Sequence, residues 1–121
     1  MNTRSKAYKK VASQIANPRE IEADLLLGAA SRLQAVQDDW ESNKHQFNDA
    51  LLQNRKLWTI FLTDVASENS PLPIELRQNV ANLGMFVLNH ALPTSSQPPS
   101  EQLGVLININ RQIAAGLQGR P

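Results

Sequence analysis

Two histidines, one short acidic run and a basic amino end are the residues of this chain whose types could do chemistry. Each would need suitable neighbours at the right spacing. His45 and His90 could act as general bases or metal ligands, but a base needs a nucleophile or an orienting group beside it. Neither histidine has a metal-spaced His, Asp or Glu nearby in the sequence, so both read as surface or helix-end residues. Asp38, Asp39 and Glu41 resemble a fragment of a cation site. Calcium loops, however, need a longer rhythm of ligands and a turn glycine, and a solvated helix end accounts for the three acids. The five glycines, Gly28, Gly84, Gly104, Gly116 and Gly119, are scattered and form no phosphate-cradling loop. There is no cysteine, which removes disulfides, thiolate metal sites and thiol nucleophiles. No catalytic residue, no metal site and no cofactor are expected, and the chain is not expected to be an enzyme.

Arg4, Lys6, Lys9 and Lys10 make the amino end basic, and no acid precedes Glu20. They could touch RNA phosphates, each contact adding salt-dependent affinity. They could equally be the solvated face of an amphipathic first helix. Tyr8 is the only aromatic residue among them and no RNA-binding module is recognisable, so nucleic acid is the disfavoured partner. The net charge of +1 exerts no strong pull toward nucleic acid or an anionic membrane. No apolar run approaches the ~20 residues needed to span a bilayer. The amino end lacks the apolar segment of a secretory signal, so a cytoplasmic location is expected.

The elements that would position any functional surface are helical. A chain of 121 residues, 41% hydrophobic and 19% charged, matches one ordinary globular domain. Prolines and polar clusters divide it into five stretches of helical period, expected over roughly 3–16, 18–42, 44–66, 73–92 and 100–118, with a proline-rich linker over 93–99. Asn17-Pro18-Arg19-Glu20 has the form of a helix start. The second stretch places Ile21, Leu25, Leu26, Ala29, Leu33, Val36 and Trp40 in one stripe. The third carries Leu51, Leu57, Trp58, Phe61, Leu62 and Val65. In the fourth, Leu76, Val80, Leu83, Val87 and Leu88 share a face with Gly84, a glycine whose position suits close helix approach. The fifth bears Leu103, Leu106, Ile107, Ile113, Ala114 and Leu117. The fold class is all-α, a single-domain bundle of four to five helices.

Some of these helices carry more apolar surface than one buried stripe needs. Leu52 and Ile60 point away from the main face of the third, while Val105 and Ile109 widen the face of the fifth. Such a helix is either central in the bundle or shows a face to a partner. Asn110 falls within an apolar face and Arg77 at the edge of another. Each must find polar partners, within the bundle or on a partner's backbone, with pairing inside the bundle preferred. Asn54 and Arg55 beside Trp58 pose the same choice, since Trp and Arg anchor interfaces and Trp also fills cores.

Four segments, Pro18 to Gln34 (PREIEADLLLGAASRLQ), Leu51 to Leu62 (LLQNRKLWTIFL), Leu72 to Val87 (LPIELRQNVANLGMFV) and Ile107 to Leu117 (ININRQIAAGL), resemble in order and spacing the FlaF family of flagellar proteins. The resemblance implies a cytoplasmic, chaperone-like regulator that binds flagellin, promotes its production and export, and opposes the companion regulator FlbT. On physical grounds flagellin's terminal segments, poorly ordered before assembly, are expected to fold as helices against an apolar surface here at moderate affinity. On this basis the expected partner-binding residues are Leu57, Trp58, Phe61, Val105 and Ile109, with Arg55 and Arg77 at the edge. The rival expectation is a regulator acting directly on flagellin messenger RNA through the basic amino end. The oligomeric state is left open.

Overall fold

A computed structural model of the chain describes residues 18–89 and 100–119. The helix expected over 3–16, its basic residues, His90 and the linker over 93–99 lie outside them. Among the described residues there are helices and turns and no strand. The helices are α1 (Pro18–Asp38), α2 (Trp40–Asn43), α3 (Phe47–Ala66), α4 (Ile74–Asn89) and α5 (Ser100–Leu117), with a 3₁₀ turn at Lys44–Gln46 between α2 and α3.

Local chemistry explains the boundaries. α1 opens on Pro18, whose fixed φ suits the first helical position, with Glu20 in the positive end of the first turn. α4 begins one residue after Pro73, whose carbonyl accepts the Arg77 N–H at 2.9 Å. The helix expected to run unbroken over 18–42 is interrupted at Asp39. That residue leaves helical geometry (φ −142°, ψ 77°) and its carboxylate accepts the Ser42 N–H, starting α2. An aspartate competes with the helix ladder for nearby backbone N–H groups in this way. Asn43 Nδ2 donates to the Ala35 carbonyl at 3.0 Å, covering one of the last acceptors of α1. The break turns Trp40 edge-on to Phe47, with ring centroids 5.3 Å apart.

The four long helices run up, down, up and down. Gln37 near the end of α1 donates to the Ser100 carbonyl at the start of α5, and Arg19 at the start of α1 donates to the Pro71 carbonyl just beyond α3. The most extensive packing is between α1 and α5, then between α3 and α4, then between α1 and α3, with a smaller contact between α4 and α5. The core is built from Ala23, Leu26, Ala30, Leu33 and Val36 of α1, Trp58, Phe61 and Val65 of α3, Val80 and Val87 of α4, and Leu103, Leu106, Ile113, Ala114 and Leu117 of α5. Each Leu or Ile so buried contributes about 1.5–3 kcal/mol of transfer free energy.

The close approach expected at Gly84 is present. A methyl group placed there would lie 2.8 Å from Leu62 Cγ and Cδ2 and 3.1 Å from Trp58 Cε3. The buried face of α1, in contrast, is rotated from the expected stripe. Ile21 and Leu25 are 47% and 52% exposed, and Ala23 and Ala30 are inside instead.

Candidate protein-binding surface

The centre of the bundle is a small polar cluster. Asn110 of α5 is fully buried. Its Oδ1 accepts the Trp58 indole N–H at 2.8 Å, and its Nδ2 donates to Asn54 Oδ1 at 2.7 Å and to the Leu26 carbonyl at 3.2 Å. One amide therefore ties α5 to α3 and to α1. Such groups must be paired when buried, and here the pairing lies within the bundle, as preferred for Asn110.

Trp58 is fully buried, and Phe61 packs edge-on against it at 6.0 Å between centroids. Ile109 is also buried. In the folded chain these three face the core. Their chemistry, large and apolar with one indole N–H, is as much that of a core as of an interface.

Arg55 and Arg77 cap each other's helices across the α3–α4 hairpin. Arg77, at the start of α4, donates from Nε and Nη2 to the Val65 carbonyl at 3.1 and 2.9 Å, and from Nη2 to the Ser67 carbonyl at 2.9 Å. Arg55, early in α3, donates from Nη1 to the Leu88 carbonyl at 2.7 Å. Neither α3 nor α4 has a basic residue in its own last turn, so each borrows a cation from its neighbour for its negative end.

Leu57 and Val105 remain at the surface. Leu57 is half-buried and lines a shallow groove between α1 and α3 with Asp24, Leu25, Gly28, Ala29, Arg32 and Gln53. Val105, on the outer side of α5, is 43% exposed. The structure thus does not gather the seven expected residues into one patch. Three lie inside, two arginines cap, and two reach the surface on different helices. Further large apolar side chains are exposed at Leu52, Ile60, Ile74, Met85 and Phe86. Leu52 and Ile60 are the outward residues read from the sequence. Met85 and Phe86 directly follow Gly84, and their position off the Val80–Gly84–Val87 face was the available signal for them.

Among the described residues, no three His, Asp or Glu side chains come together in a way that could hold a metal ion. Glu22 has its carboxyl pushed above the usual range, first by burial and then by the nearby Asp64 charge, with Arg19 opposing. No described helix is long and apolar enough to cross a membrane.

The family model described as flagellar protein FlaF matches residues 4–117. No curated protein and no solved structure matches the chain. The family match takes in all four long helices, the buried asparagine that joins three of them and both capping arginines, and it is not the match of an enzyme family. The chain belongs to the FlaF family of flagellar proteins.

Proposed function

We propose that the chain is a non-enzymatic, cytoplasmic flagellin-binding protein, a chaperone-like regulator that promotes flagellin synthesis and export and works against FlbT. Membership of a flagellar family sets the context. The observation that carries the reading is the set of large apolar side chains left at the surface of a well-filled bundle, among them Leu52 of α3, Met85 of α4 and Val105 of α5. Side chains of this kind suit helix-in-groove capture of a segment that is poorly ordered until it binds. Ordering that segment costs entropy and keeps affinity moderate, which suits a carrier that must release its cargo.

Within this proposal the contact shifts from Trp58, Phe61 and Ile109, which the core already occupies, to Leu57, Val105 and the exposed residues beside them. Titration calorimetry against monomeric flagellin at low and high salt tests it. Saturable binding that survives high salt, with a negative heat-capacity change, is the expected outcome. Val105→Ser should weaken binding with the helical circular dichroism signal intact, whereas Ile109→Ser should cost stability. Absence of heat with every flagellin of the same bacterium would sink the carrier reading. Binding to messenger RNA that falls steeply with salt and needs Arg4, Lys6, Lys9 and Lys10 would put the RNA regulator in its place.

A further inference from the structure

Gly28 sits near the middle of α1 on an exposed face, where a methyl group would meet nothing within 4 Å. A mid-helix glycine lowers helix propensity relative to alanine. At Gly84 that cost is offset by close packing of Leu62 and Trp58, but nothing among the described residues uses the space at Gly28. The residues around it share one groove. Asp24 stands one turn before Gly28 and Arg32 one turn after, with Leu25 and Ala29 between them and Leu57 opposite on α3. Neither Asp24 nor Arg32 has an ion pair or a side-chain hydrogen bond among the described residues. Ile21, one turn before Leu25 on α1, is exposed, as is Ile60 (56%), one turn beyond Leu57 on α3.

The charges are symmetric about the glycine. Asp24 and Arg32 are each four residues from Gly28, about 6 Å along the axis on either side at 1.5 Å per residue. A helix of the same sequence crossing antiparallel at Gly28 would set its Arg32 against Asp24 and its Asp24 against Arg32. A two-fold interface requires this kind of self-complementarity, in which residue i meets j and j meets i. An unrelated helix would have to carry the same charge spacing by its own accident. We infer that the α1–α3 face is the interface of a two-fold homodimer, with α1 packed antiparallel on α1 of a second copy at Gly28 and Ile21, Leu25, Leu57 and Ile60 buried around the crossing.

The glycine lets the two backbones come close, the apolar side chains supply the association free energy, and the paired charges fix the antiparallel direction. The inference does not depend on which cargo the protein carries. The test is sedimentation equilibrium of the full chain over a wide concentration range. The native chain should follow a monomer–dimer equilibrium. Asp24→Arg and Arg32→Asp should each weaken dimerisation about tenfold or more, since each sets two like-charged contacts across the axis. The combined charge swap should return it to within about threefold of the native value. Gly28→Leu, which improves helix propensity, should leave the circular dichroism signal in place and abolish the dimer. A chain that is monomeric at every concentration would overturn the inference. So would a dimer indifferent to the single reversals, or a double variant that does not recover.

Discussion

Replacing Asn110 with alanine should be among the most damaging single changes in this bundle, by a calculable amount. The substitution deletes one acceptor and two donors from the interior. The Leu26 carbonyl lies within α1 and keeps its place in the helix ladder, so losing the 3.2 Å bond from Asn110 leaves it satisfied. The Trp58 indole N–H and Asn54 Oδ1 lose the Asn110 side chain as partner, and both residues are almost wholly buried. A buried group left unpaired costs about 1–3 kcal/mol, so two of them give about 2–6 kcal/mol. A domain's whole stability is about 5–15 kcal/mol. Urea unfolding followed by far-ultraviolet circular dichroism reads the loss directly. Asn54→Ala in the same assay should cost less, and the double variant should cost less than the sum of the singles by about 1–2 kcal/mol, because the two amides share one bond. Adding Trp58→Phe to Asn110→Leu should recover part of the loss, since removing both ends of a buried bond is milder than removing one. A cost below about 1 kcal/mol for Asn110→Ala, or strict additivity with Asn54→Ala, would refute the view that this cluster holds α1, α3 and α5 in register.

Arg77→Met strips three hydrogen bonds from carbonyls at the end of α3 and should lower unfolding free energy by about 1–3 kcal/mol in the same titration. Gly84→Ala and Gly28→Ala should move in opposite directions under thermal unfolding. The first gains about 1 kcal/mol of propensity but overpacks against Leu62 at about 1–3 kcal/mol; the second, read at a concentration low enough to keep the chain monomeric, gains propensity with no steric opposition from the described residues. Glu22→Gln should stabilise the protein at neutral pH and make no difference in acid. The folded state raises the Glu22 pKa and so binds the proton more tightly than the unfolded chain. Native stability therefore falls as pH rises from the ordinary carboxyl value through the raised one, and stays lowered above it. Thermal midpoints of both proteins across that window check the sign.

The helices were legible because their signals are local. Pro18 and Glu20 marked one start, and Gly84 announced a close crossing before any partner was known. Asn110 was legible too, because an amide on an apolar face has few ways to be satisfied. The break at Asp39 was not. A single carboxylate turning onto Ser42 competes with continuation of the helix by a margin that periodicity does not register. The rotation of α1 was also hidden. Its apolar stripe from Ile21 to Trp40 is wider than its neighbours cover, and which edge turns inward depends on where α3 and α5 lie. The functional residues were the least legible. Trp58 and Phe61 have the chemistry of an interface anchor and of a core residue equally. The roles of Arg55 and Arg77 depend on carbonyl groups that come within reach only once the hairpin has closed.

Asn110 also imposes an order on events during synthesis. Its partners Asn54 and Leu26 precede it by 56 and 84 residues, whereas the bonds from Arg77 to Val65 span only 12. On a ribosome the α3–α4 hairpin can close while α5 is still being made, and at that moment Trp58 lacks the Asn110 side chain that accepts its indole N–H in the finished fold. Until then α1 also lacks the helix against which it packs most extensively in the finished bundle. The pairing of the buried polar groups is therefore completed only once α5, which carries Asn110, has been made.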